Sequence, residues 1–157
     1  MEGAACRRTV DVLVAKGDEE LRRSLGTGLN DAGYNVRFAG NAVGASLLIF
    51  ESAPGAMVVD AEMRGMDVFK FIAAIRSART IPYFPVIFLT ERPEDAIRAR
   101  ELGAACVVKP VQIDRLLAGI SSNVSAPPPV LRVPRPVLPL AKASDAHFRR
   151  AAHAQVL

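Results

Sequence analysis

A chain of 157 residues, half of them apolar, accommodates one compact domain and a tail. No apolar run approaches the roughly 20 residues of a membrane helix, and the opening MEGAACRRTVDVLVAKGDEE has too short an apolar stretch, interrupted by Asp11, for a secretory leader; a cytoplasmic protein without a membrane partner is expected. The net charge of +4 resides beyond residue 120, where Arg132, Arg135, Lys142, Arg149 and Arg150 meet only Asp145, so the high isoelectric point does not mark a nucleic-acid face on the folded part.

Thr9–Ala15 is a short apolar, β-branched run and predicts a buried strand. Asp18 starts a helix, with Glu19 and Glu20 in its first turn, where carboxylates suit the positive end of the helix dipole. Leu21, Leu25 and Leu29 recur every four residues on one face, and Gly33 stops the helix. Tyr34–Phe38 predicts a second strand. Asn41 caps a helix through Ala45, Leu48 and Ile49 that Pro54-Gly55 breaks. Ala56–Val59 predicts a third strand ending at Asp60. Met63–Met66 is a loop, and Asp67 caps a helix carrying Phe69, Ile72 and Ile75. Val86–Leu89 predicts a fourth strand ending at Thr90, Glu94–Leu102 a helix closed by Gly103, Cys106–Val108 a fifth strand running into Lys109-Pro110, and about Gln112–Ile120 a last helix.

Strands alternating with helices imply βαβ units with right-handed crossovers and a parallel sheet. Five such strands fit a flavodoxin-like, doubly wound α/β fold in the order 2-1-3-4-5, with helices on both faces. In that architecture ligands meet the carboxyl ends of the strands. The residues just past those ends are Lys16 and Gly17, Asp60, Thr90 and Lys109.

These positions resemble the receiver domain of bacterial two-component response regulators. Asp60-Ala-Glu-Met63-Arg-Gly-Met66-Asp67 is similar to the family's phosphoacceptor loop, Asp-x-x-Met-Pro-x-Met-Asp-Gly, with Arg64 in place of Pro and Val68 in place of Gly. Leu89-Thr90 matches the family's Thr position, and Gly103-Ala104 through Lys109-Pro110 its fifth strand and exit. The resemblance covers about three quarters of the chain and implies a signalling module, not an enzyme. It makes Asp60 the phosphoacceptor position, Thr90 and Cys106 the switch positions, and Lys109-Pro110 a pair joined by a cis peptide. Cys106 stands where many members carry an aromatic residue, and Glu91 where a small residue is usual.

The first strand departs from the pattern. Members read roughly Val-Leu-Val-Val-Asp-Asp-Asp, the acidic pair binding Mg²⁺; this chain reads Val12-Leu13-Val14-Ala15-Lys16-Gly17-Asp18. The ungapped match that keeps Leu21, Arg22 and Leu25 in the helix sets Lys16 and Gly17 on the metal pair and Asp18 one residue beyond it. Mg²⁺ is usually held by one or two carboxylates plus waters and phosphate. Exchanging two carboxylates for one ammonium and no side chain changes the local charge by about three, each charge worth roughly 2–4 kcal/mol at an effective dielectric near 20. The expectation is that Lys16 fills the vacated place and pairs with Asp60, that Lys109 approaches Asp60 from the other side, and that no cofactor is bound. The plainer reading leaves Asp60 as a retained strand-end residue, Thr90 on backbone, and Lys16 in solvent.

Residues 1–8 read as an N-terminal extension and 9–121 as the receiver domain. Residues 122–140 hold six prolines, at 127, 128, 129, 134, 136 and 139, which excludes a helix and suggests an extended linker. Residues 141–157 read as a short helix capped by Ser144 or a disordered tail, with His147 and His153 solvated. No output domain fits in that length. The two cysteines, Cys6 and Cys106, have no metal-ligand spacing and read as reduced thiols, Cys106 as a small core residue. The expected function is that of a single-domain, atypical receiver, binding a histidine kinase or downstream effector through its fourth helix, fifth strand and fifth helix, without Mg²⁺-dependent phosphorylation. The alternative is a conventional regulator phosphorylated on Asp60, with Mg²⁺ as its cofactor. A third reading gives the work to the basic, proline-rich tail.

Overall fold

The computed structural model describes residues 9–125. The expectations for residues 1–8 and for the proline-rich and terminal segments beyond Ser125 lie outside the described residues. The elements run β1 (Asp11–Ala15), α1 (Glu19–Asp31), β2 (Asn35–Ala39), α2 (Ala42–Glu51), β3 (Ala56–Asp60), α3 (Val68–Ser77), β4 (Val86–Thr90), α4 (Asp95–Glu101), β5 (Ala105–Val108) and α5 (Ile113–Ser125). The five strands form one parallel sheet in the order β2-β1-β3-β4-β5, the doubly wound α/β arrangement expected from the alternation. No helix among the described residues is long and apolar enough to cross a membrane.

Side chains alternate across a strand, and both faces of this sheet are covered. Val12 and Val14 of β1, Ala56 and Val58 of β3, and Ile87 and Leu89 of β4 pack with Leu25 and Leu29 of α1 and Leu116 and Ile120 of α5. Leu13, Met57, Val59 and Phe88 point the other way, against Ala45 and Ile49 of α2, Phe69, Ile72 and Ile75 of α3, and Ala99 of α4. The ring of Phe88 stacks on that of Phe69 with centroids 4.5 Å apart. Being buried on both faces, β3 and β4 read as unbroken apolar runs without alternation.

The helix starts are set by the residues the sequence marks. Asp18, Asn41 and Asp67 each accept a hydrogen bond from a backbone N–H three residues on, at 3.0, 2.8 and 3.2 Å, satisfying donors that the first helical turn leaves unpaired. Gly33 and Gly103 follow α1 and α4 with φ of 96° and 65°, backbone that disfavours side chains.

Two expectations are corrected. Of the stripe Leu21, Leu25 and Leu29, Leu21 is 52% exposed and only Leu25 and Leu29 are buried. Helix α5 does not stop near Ile120, and residues 122–125 are helical rather than linker. Ser122 to Ser125 contain no breaker, and Asn123 Nδ2 donates to the carbonyl of Gly119 at 2.6 Å.

Candidate functional site

Parallel pairing in register brings the strand ends together. Ala15 is opposite Val59, Asp60 opposite Leu89, and Thr90 opposite Val108. One step past the first pair, Lys16 falls beside Asp60, and strand alternation puts both on the α1/α5 face. Lys109 extends from the end of β5 on the far side of Asp60.

Lys16 is anchored along its backbone. Its N–H donates to the carbonyl of Ala39 at 3.0 Å, and its carbonyl accepts from Arg22 Nη1 at 3.0 Å. Its side chain turns inward: Lys16 is 5% exposed and its Nζ lies 2.6 Å from Asp60 Oδ2. The other oxygen, Oδ1, accepts from Lys109 Nζ at 2.9 Å and from the backbone N–H of Glu62 at 3.0 Å. Asp60 is itself buried. Burial is the largest influence on its carboxyl and pushes the pKa up. The hydrogen bonds from Lys16, Lys109 and the Glu62 N–H, with the charge of Lys16, together outweigh it and bring the pKa down from 3.8 to about 2. Lys109 moves in the complementary direction: burial pulls its pKa down, but its bonds to Glu62 and Asp60 prevail and raise it.

A second set of contacts adjoins the first. Lys109 Nζ donates to Glu62 Oε2 at 2.9 Å. Glu62 Oε1 accepts from the backbone N–H of Glu91 at 2.9 Å and lies 2.9 Å from Thr90 Oγ1. That hydroxyl is buried, is 2.7 Å from Asp95 Oδ2, and accepts from the Arg92 N–H at 3.0 Å. A threonine hydroxyl has one proton, so Asp95 and Glu62 compete for it.

The structure therefore brings Lys16, Asp60 and Lys109 into direct contact and sets Thr90 one residue away through Glu62. Gly17 and Asp18 line the same polar cleft but do not touch Asp60; the Asp18 carboxylate is the cap of α1. Lys109-Pro110 is a cis peptide. Cys106 is half-buried against the α2–α4 side of the core, and burial, then the charges of Asp95 and Glu62, push its thiol pKa up, the reverse of a reactive cysteine. Glu62 and Asp95 were not singled out by sequence reasoning. Glu62 had a signal, since it lies two residues past Asp60 in the loop; Asp95 stands in the first turn of α4, a common place for an acid, and only its burial marks it.

The residues do not fit a magnesium site. The Lys16 ammonium sits on the oxygen a cation would need, Gly17 supplies no ligand, and among the described residues no group of three or more His, Cys, Asp or Glu is arranged to hold a metal.

Residues 12–121 match the model of the response regulator receiver domain. The chain is 33% identical over 112 residues to the response regulator MprA of Mycobacterium sp. strain KMS, covering 69% of this chain and 48% of that protein. It is similar in structure to the chemotaxis response regulator CheY4 of Vibrio cholerae, with a TM-score of 0.67 at 26% identity over 73% of this chain and 98% of that one. It also resembles NtrX of Brucella abortus, with a TM-score of 0.67 at 26% identity over 74% of this chain and 27% of that one. Across the first curated relatives it matches, the chain spans from 23% to 48% of their length.

Proposed function

The chain belongs to the response regulator receiver domain family, and from that premise we propose that it is an atypical receiver: a cytoplasmic, non-catalytic signalling module that works by protein contact, without Mg²⁺-dependent phosphorylation of Asp60. One observation carries the reading. The buried ammonium of Lys16 lies 2.6 Å from Asp60, where it neutralises the carboxylate without a metal ion. Phosphoryl transfer to a carboxylate demands that charge on the incoming oxygens be neutralised and that the attacking oxygen be free. Here both oxygens of Asp60 are taken up by protein donors, and an arriving phosphoryl group must displace Lys16 or Lys109.

The partner we propose is a histidine kinase or an effector protein, bound on the face made by α4, β5 and α5. Ile97 of α4 and Val108 of β5 are exposed there, at 67% and 39%, which supports an apolar contribution to docking. Incubation with acetyl phosphate and Mg²⁺, followed by intact-mass measurement, tests the reading. No phosphoryl adduct is expected. A labile adduct mapped to Asp60 would return the protein to conventional, phosphorylation-driven signalling.

A further inference from the structure

Helix α2 is apolar on the side that faces water as well as on the side that faces the sheet. Ala45 and Ile49 are buried against the sheet, while Val43, Leu47 and Phe50, spaced by four and three residues along one outer face, are 69%, 65% and 70% exposed. Among the described residues, only Ile97 of the other large apolar side chains is as bare. No charged side chain stands between Ala42 and Phe50. A helix that is apolar all round is ordinarily buried all round. The outer face continues into an apolar cleft of about 270 Å³ between α2 and α3, lined by Ile49, Phe50, Phe71 and Ile75. Contiguous apolar surface of this kind marks a protein contact.

We propose that this face of α2 is the interface of a homodimer, in which the α2 helices of two copies pack antiparallel about a two-fold axis near Ser46 and Leu47. Charge selects a second copy as the occupant. The first turn of α2 holds no acidic side chain and its last turn no basic one, so no charge on the helix compensates its dipole. Glu51 ends the helix four residues beyond Leu47, exposed and on the same face, and stands at its own helix's negative end, an unfavourable place for a carboxylate. When Val43 of one copy meets Phe50 of the other, Glu51 of each falls against the first turn of the opposite helix, at Ala42, where a carboxylate is favoured; symmetry makes the contact twice. The uncharged stripe between those ends gives a charged partner nothing to pair with, whereas a second α2 matches it along its length. Val43, Leu47 and Phe50 expose roughly 400 Å² of apolar surface per copy, and with the rim of the cleft the pair buries on the order of 1,000 Å², the lower bound of a specific contact and the range of weak, reversible dimers. Helix α2 lies beside β2 and β1 at one edge of the sheet and α4 beside β5 at the other, so the dimer leaves the α4–β5–α5 face free.

The inference does not depend on whether Asp60 accepts a phosphoryl group, and its readout is mass rather than phosphotransfer. The test is sedimentation velocity of the full chain from about 10 µM to about 1 mM, the span in which a contact of this size forms and dissociates. The native chain should pass from monomer toward dimer as concentration rises. Leu47→Glu should weaken association by roughly tenfold or more, since it sets two like charges at the two-fold axis in place of an apolar pair. Glu51→Lys, a surface change that keeps the stripe intact, should weaken it by about threefold or more at low salt and lose most of that effect at about 0.5 M salt. In a Cys6→Ser background, mild oxidation should join two copies through Leu47→Cys and not through Ile97→Cys. A native chain that stays monomeric at about 1 mM, its α2 face covered by another protein or by residues 126–157, would overturn the proposal. So would a dimer that Leu47→Glu leaves intact, or one that Ile97→Cys captures and Leu47→Cys does not.

Discussion

Replacing Lys16 by Met keeps an unbranched side chain one atom shorter and removes its charge, which largely separates the ion pair from packing. Asp60 has its carboxyl at about 2 against an ordinary 3.8, a difference worth on the order of 2 kcal/mol of folding stability. That figure is a net one, because burial works against the donors. In Lys16→Met the burial stays while one of two ammonium partners is lost. The expected cost near neutral pH is about 2–3 kcal/mol, below the 3–5 typical of a wholly orphaned buried charge, since Lys109 still reaches Oδ1. The pH dependence has a definite sign. A folded pKa below the unfolded one means that the contribution of Asp60 is complete above 3.8 and disappears as pH falls from there toward 2. The gap between native chain and variant should therefore be widest near neutrality and close in strong acid. Urea unfolding across a pH series measures it, with the midpoint falling by about 1–2 M at pH 7. A ¹³C titration of the Asp60 carboxyl should show its pKa rising in the variant. An unchanged urea midpoint at neutral pH, with an unchanged Asp60 titration, would show that the amine does not neutralise the carboxylate in solution.

The double variant Lys16→Asp, Gly17→Asp should regain Mg²⁺ binding, seen as a melting temperature that rises with added Mg²⁺, while the native chain shows no rise. Position 17 can take the side chain, since the nearest heavy atom to a Cβ built there is 4.0 Å away. Alkylation of Cys106, followed in a Cys6→Ser background, should be slower at pH 7 than that of a free thiol, because burial and the nearby Asp95 and Glu62 carboxylates raise its pKa; a fast reaction would place the thiol in a different environment.

Local chemistry is legible before folding. The β-branched runs, the capping residues Asp18, Asn41 and Asp67, and the glycines after α1 and α4 act over a few residues, so the element order and the doubly wound class follow from chain order. The strand-end residues Lys16, Asp60, Thr90 and Lys109 are legible for the same reason, because a parallel sheet collects them at one end. Element ends were less so. The four-residue spacing of Leu21, Leu25 and Leu29 gives a shared face but not the depth to which each is buried, and nothing between Ile120 and Ser125 marks where α5 stops.

The side-chain pairings were settled by packing in three dimensions. Register between β1 and β3 sets Lys16 and Asp60 side by side, yet whether a lysine turns inward depends on the balance between leaving water and finding a counter-charge, which here Asp60 tips. Glu62 and Asp95 acquire their roles from residues at least five positions away, with partners reached only after β3, β4 and β5 align. Residue order carries the alphabet of the site, while hydrogen bonds between distant strand ends act over about 3 Å and exist only once the sheet has closed.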